Sequence, residues 1–122
     1  VTDLRQHRRR RAWRWGRLAE SAAALLLRLK GFRILARGYK VPVGEIDIIA
    51  RRGRLVAFVE VKARASADAA NEALNPRQRR RIERAAGWFL AQHPDISACD
   101  MRYDLMLVTP WRWPVHIGDA WR

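Results

Sequence analysis

Two apolar, β-branched runs, residues 46–50 and 55–61, flank an Arg-Arg-Gly-Arg cluster, which is the pattern of a β-hairpin. A two-residue turn with Gly53 at its first central position, where φ > 0 is needed, pairs Arg52 with Leu55 and sets the register outward from there. Asp47 then falls opposite Glu60. Side chains alternate along a strand, so Glu45 and Asp47 project to the same side as Glu60 and Lys62. Ile46, Ile48, Ala50, Ala57, Val59 and Val61 make up the other side, the face a core would take. A four-residue loop keeps this arrangement; a three-residue loop shifts the partners by one and breaks it.

Ahead of the hairpin, residues 17–30 have helical periodicity, with Leu18, Ala22, Leu25, Leu26 and Leu29 on one stripe and Gly31 as the stop. Glu20 lies off that stripe beside Ala23, Ala24 and Leu27, where a carboxylate is costly without a partner. Residues 32–39 predict a first strand, and Pro42 is unsuited to a central one. After the hairpin, residues 63–74 carry no strong periodicity and predict a loop.

Asn75 and Pro76 open a second helix as cap and first position, and it runs to Ala91 or Gln92 before Pro94. Gln78, Ile82, Ala85, Ala86, Phe89 and Leu90 share its inner face, while Arg77, Arg80, Arg81 and Arg84 line an outer one. Guanidiniums a turn apart repel one another unless an anion lies across them, so this outer face suits phosphate. Residues 101–109 read as a strand buried on both faces toward its end. Coming after a helix, it should lie parallel to the 55–61 strand by a right-handed crossover. Trp111-Arg112-Trp113, between Pro110 and Pro114, is a loop, and Val115-His116-Ile117 is a short last strand, ending at Ala120-Trp121. His116 reads as a sheet-edge histidine with no carboxylate partner evident in the sequence. The order helix, strand, hairpin, helix, strand, strand predicts an α/β domain over residues 16–122, a mixed sheet of four to five strands flanked by helices.

Composition narrows the partners more than the fold. The length of 122 residues is one domain's worth and buries roughly 65–70% of the unfolded surface. The net charge of +13 attracts polyanions, with a strength that falls as salt rises; a ribosome-associated or membrane-surface protein could share it. Residues 1–15 form a basic arm in which Arg8, Arg9, Arg10 and Arg11 can grip phosphate, while Trp13 and Trp15 can stack on exposed bases. A flexible, solvated tail is the alternative for the free protein. The single Cys99 excludes an internal disulfide, and no Cys/His set has zinc spacing. No apolar run approaches the ~20 residues of a membrane span, and a reducing cytosol is the simplest home. The Arg-rich start before Ala22 faintly mimics an export signal, but Glu20, Arg28 and Lys30 bracket the apolar stretch with helical logic.

The hairpin carries the candidate chemistry. Converging carboxylates repel unless something positive sits between them, and Mg²⁺, or Mn²⁺ in its place, takes such hard oxygen ligands together with water and phosphate. A lysine alongside can orient or deprotonate an attacking water and offset charge on a pentavalent phosphate. The plainer reading is a set of solvated charges on the polar face of a hairpin. Against it, only Lys30, Lys40 and Lys62 among 25 basic residues are not arginine, and lysine, unlike arginine, can give up its proton.

Gly44-Glu45-Ile46-Asp47-Ile48-Ile49-Ala50 followed by Phe58-Val59-Glu60-Val61-Lys62-Ala63-Arg64 resembles the signature of the YraN family. That family is grouped with the restriction-endonuclease-like proteins, whose active-site pattern is written PD-(D/E)xK and which include archaeal Holliday-junction resolvases. The similarity runs from about Gly16 to Trp121. It implies a restriction-endonuclease-like core and a Mg²⁺- or Mn²⁺-dependent nuclease, acting on DNA rather than RNA and on branched or single-stranded DNA in particular. Asp47 and Glu60 would hold the metal and Lys62 would serve the water and the transition state. Glu45 and Glu20 would be second-tier, Glu20 through a loose match of Gly16-Arg17-Leu18-Ala19-Glu20 to the family's first helix. Gln78 would be accessory, as a glutamine on this helix is in resolvase-like nucleases, and Asp104 resembles an aspartate that is structural there. Glu20 as an ordinary exposed charge and Gln78 as a backbone-satisfied buried residue stand beside those roles. A non-catalytic nucleic-acid-binding scaffold or a basic RNA-associated protein would show the same charge. A homodimer with two-fold symmetry would suit a four-way junction.

Overall fold

The Gly53-Arg54 turn forms as its chemistry requires, with Gly53 at φ +61° and Arg52 paired with Leu55. The computed structural model describes residues 3–64 and 74–121, and of residues 3, 4 and 7–14 the backbone only. Its elements in chain order are α1 (Asp3–Leu29), β1 (Arg33–Val41), β2 (Gly44–Arg52), β3 (Leu55–Ala63), α2 (Pro76–Gln92), a 3₁₀ turn (Pro94–Ile96), β4 (Asp100–Val108) and β5 (Val115–Trp121). Among the described residues they build one five-stranded sheet in the order β1-β2-β3-β4-β5. The β3–β4 pair is parallel and the others antiparallel, so the fold is the mixed α/β sheet expected. The loop expected over residues 63–74 lies mostly outside the described residues.

The helices cover opposite faces of the sheet. α1 packs on Ile48, Ala50, Ala57, Val59, Met106 and Val108. α2 packs through Ile82, Ala85, Ala86 and Phe89 on Ile46, Ile49, Val56 and Phe58, with Leu105 and Leu107 beneath. The hairpin therefore has two buried faces, where the alternation pattern predicted one, and its polar residues are confined to the end away from the turn. The N-cap of α2 is as expected, Asn75 Oδ1 accepting the Gln78 N–H at 2.9 Å.

Two expectations about the first helix are corrected. Helix α1 begins at Asp3 rather than Arg17, so the backbone of the arginine-rich segment continues the helix. Its buried stripe is Ala19, Ala23, Ala24 and Leu27, while Leu18, Leu25 and Leu29 are 64%, 51% and 66% exposed. The sheet face beneath is already filled by Ile48, Val59 and Met106, and alanines let a helix approach such a surface closely where a leucine row would hold it off. The last strand spans Val115–Trp121, ending where expected, and Trp121 reaches the α2-side core and stacks on Tyr103 at 5.2 Å.

Candidate active site

Backbone pairing of β2 with β3 runs from Arg52–Leu55 to Ile48–Val59 and stops there. One residue on, Asp47 Oδ2 accepts the Val61 N–H at 2.8 Å, so a side chain finishes what the ladder leaves. Asp47 and Glu60 thus meet through their carboxyls, which share a side-chain hydrogen bond, and not as a backbone pair. Lys62 stands near enough for its charge to act on Glu60, Glu45 acts on both carboxyls, and Glu20 acts on Asp47. All of these groups are carried by one hairpin and the helix over it.

Burial raises the proton affinity of Glu60 first, and the charge and hydrogen bond of Asp47 add to it. The Lys62 ammonium offsets only part, leaving the carboxyl at about 8 against an ordinary 4.5. Asp47 is raised as well, by burial first, countered by the Val61 N–H and by the hydrogen bond from Glu60. The pair therefore keeps a proton that two separate, solvated carboxyls would release. Since the folded state binds it more tightly than the unfolded chain does, this stability is fully present below pH 4.5 and is lost as pH rises to about 8. Thermal melts of metal-free protein should show a falling melting temperature across that window, and Glu60→Gln, which cannot ionise, should flatten the fall. Equal slopes for the two proteins would count against a shared proton.

On the α1 side, Glu20 and Asp47 line a cleft of about 790 Å³. Arg37 Nε donates to Glu20 Oε1 at 3.2 Å and Arg37 Nη2 to Ser21 Oγ at 3.1 Å, so Glu20 has the partner its apolar surroundings demand. On the α2 side, Glu45, Glu60, Gln78, Arg81 and Ile82 line a notch of about 110 Å³. Arg81 Nη2 lies 4.0 Å from Glu45 Oε1 with both side chains about half exposed, a pair contributing ~1 kcal/mol at most. Arg77, Arg80 and Arg84 are exposed alongside Arg81. The side chains of Arg8, Arg9, Arg10 and Arg11 lie outside the described residues.

Asp47, Glu60, Lys62 and Glu45 thus gather at one end of the hairpin, with Glu20 beside Asp47 on the α1 side and Gln78 beside Glu60 on the α2 side. Among the described residues no group of three or more His, Cys, Asp or Glu side chains is arranged to hold a metal ion by itself. The Asp47–Glu60 pair does fit a hard divalent cation. Two buried carboxyls that retain a proton to relieve their repulsion offer oxygen donors, and Mg²⁺ commonly takes two protein carboxylates and completes its shell with water and phosphate.

Residues 19–108 match the profile of the uncharacterised protein family UPF0102. A UPF0102 protein of Parvibaculum lavamentivorans is 57% identical over 111 residues, covering 91% of this chain and 84% of the relative. One from Paramagnetospirillum magneticum is 58% identical over 115 residues, covering 91% and 89%. The chain belongs to the UPF0102 (YraN) family. Among the described residues of this UPF0102 chain, no helix is long and apolar enough to cross a membrane.

One cluster in this UPF0102 chain escaped the sequence reading. Asp104 is fully buried and accepts from Arg102 Nε and Nη2 at 2.8 Å each, from the Asp119 N–H at 3.0 Å and from His116 Nε2 at 2.7 Å. The absence of a carboxylate partner for His116 is corrected: β5 returns beside β4 and lays the ring against Asp104. Lys30 Nζ approaches His116 Nδ1 at 2.8 Å, and an ammonium only donates, so Nδ1 accepts and Nε2–H donates. Burial alone would raise the Asp104 carboxyl, but the hydrogen bonds from His116, Arg102 and the Asp119 N–H hold it at about 2. The cluster ties β4, β5 and the chain just after α1 together, and Asp104 pairs across the sheet with Val59, the residue before Glu60. The sequence offered two signals, the resemblance of Asp104 to a structural aspartate and the Arg102-x-Asp104 spacing, which places both side chains on one face of a strand.

Proposed function

We propose that this protein is a divalent-metal-dependent nuclease that hydrolyses phosphodiester bonds in DNA. The observation that carries the reading is the hydrogen-bonded Asp47–Glu60 carboxyl pair with Lys62 beside it, at a point where two strands part. Asp47 and Glu60 would hold Mg²⁺ or Mn²⁺, which when bound supplies Lewis-acid stabilisation of charge on the phosphoryl oxygens. Val61 fixes the orientation of Asp47 through its N–H. Lys62 would orient the attacking water and offset the negative charge on the phosphoryl oxygens and on the leaving oxygen, which takes the electron pair as the P–O bond breaks. Glu45 deepens the negative potential that draws a cation to the pair. Gln78, which lines the notch with Glu60, would hold water or a phosphate oxygen. The exposed arginines of α2 would bind backbone without reading sequence, because phosphate contacts carry no base information.

Incubating supercoiled and branched DNA with wild-type protein and with Glu60→Ala, in Mg²⁺ or Mn²⁺, tests this directly. Cutting by wild type and not by the variant, with binding equal in the presence of a chelator, is the expected result. Binding by both with no cleavage above background by either would replace the reading with a non-catalytic DNA-binding scaffold. Tighter binding to structured RNA than to DNA at matched salt would move it to an RNA partner.

A further inference from the structure

The loop between β4 and β5 holds two large aromatic rings out of the core. Trp111 is 102% exposed and Trp113 71%, with exposed Arg112 between them. Trp111 also has φ +63°, in the left-handed region that bulky residues rarely adopt. A backbone held there for a ring that packs on nothing gains the fold nothing. Pro110 and Pro114 bracket the segment and narrow the conformations it can take.

Strand pairing fixes where the loop stands. In the parallel pair, Lys62 lies beside Leu107 and Ala63 beside Val108, while Leu107 pairs on its other side with Val115. Both ends of the loop therefore leave the sheet level with Lys62, at the end where Asp47 meets Glu60. Trp111 is three residues past Val108, about 10 Å of extended chain. A strand with a phosphate at the carboxyl pair would have its neighbouring nucleotides within reach of the rings.

We propose that Trp111, Arg112 and Trp113 form a stacking site for unpaired bases of a nucleic-acid strand. In a chain of net charge +13 the partner favoured by charge is a polyanion, and the polyanion with apolar flat faces is a nucleic acid. A duplex keeps those faces inside its stack, whereas a gap, flap or single strand exposes them to aromatic and guanidinium planes. The inference rests on the nuclease reading for its partner and deepens it by naming the substrate class: DNA with unpaired bases next to the scissile phosphate.

The test is fluorescence anisotropy with labelled single-stranded, flapped and fully paired oligonucleotides in chelator, so no cleavage is required. Wild type should prefer the strands with unpaired bases. A Trp111→Ala/Trp113→Ala double variant should lose about tenfold in affinity for those strands while duplex binding stays within about twofold, and Trp111→Phe/Trp113→Phe should keep most of the preference. The alanine protein should melt as wild type does, since the rings pack little. An equal loss on duplex and single strand, or no loss on either, overturns the proposal. So does a dependence on the tryptophans for binding phosphatidylglycerol vesicles with none for oligonucleotides, which would make the loop a membrane contact. Tryptophan-dependent binding without metal-dependent cutting would leave the stacking site standing and remove the nuclease. Cutting without tryptophan-dependent binding would do the reverse.

Discussion

Lys62→Ala is expected to bind DNA about as tightly as wild type and to cleave it about 10²–10³-fold more slowly, the usual loss when one group aimed at transition-state charge is removed. The side chain is on β3 two residues from Glu60, and its charge is the one attraction that opposes the raised proton affinity there. On the proposed reading its contribution to ground-state binding would be small, because the exposed arginines of α2 would supply the backbone contacts. Lys62→Arg should not restore the rate, since a guanidinium keeps its proton and is broader than an ammonium. Single-turnover cleavage with protein in excess, alongside anisotropy in chelator, reads the two quantities separately. A variant that cuts within a few-fold of wild type would remove Lys62 from the chemistry.

The largest expected effect on folding comes from Gly44. A Cβ built at this position would lie 1.9 Å from the Arg81 carbonyl oxygen and 2.7 Å from its carbon, backbone atoms of α2 that cannot swing aside. Gly44→Val therefore requires α2 to lift from β2, opening the contact of Ile82 and Phe89 with the sheet. The expected loss is about 3 kcal/mol or more, an overpacking effect against backbone, read by urea denaturation. Gly16→Ala is the matched control: nothing lies within 4 Å of its Cβ position, and in a helix the change should stabilise by up to ~1 kcal/mol. A Gly44→Val protein as stable as wild type would mean that α2 does not sit where the structure has it. The close approach also brings Gln78 and Arg81 to the notch that holds Glu45 and Glu60. The glycine that opens the hairpin motif thus acts on the site through helix docking, without touching it.

Local chemistry made part of this molecule readable from the chain alone. The Gly53 turn needs only a residue tolerant of positive φ, and once it forms the register follows by counting. The second helix is equally local, from the Asn75 cap and Pro76 to Gln92 before Pro94. Because Glu45, Asp47, Glu60 and Lys62 all lie on that hairpin, the sequence alone sufficed to place them near one another. Their proton sharing was not legible. It depends on the ladder stopping at Ile48–Val59 and on Asp47 turning to the Val61 N–H.

Helix α1 shows where sequence stops. Its leucine stripe and its alanine stripe are both compatible with a buried face, and hydropathy favours the leucines. The sheet takes the face of Ala19, Ala23, Ala24 and Leu27, whose three alanines let the helix approach Ile48 and Val59 closely. The Asp104 cluster likewise needs β4 and β5 side by side before a histidine twelve residues away can reach the aspartate. Sequence by itself determined the turns, caps and strand register, since each is set by neighbours along the chain. Tertiary structure decided which helix face is buried and which distant charges meet, since both depend on a shape that exists only after the sheet has formed.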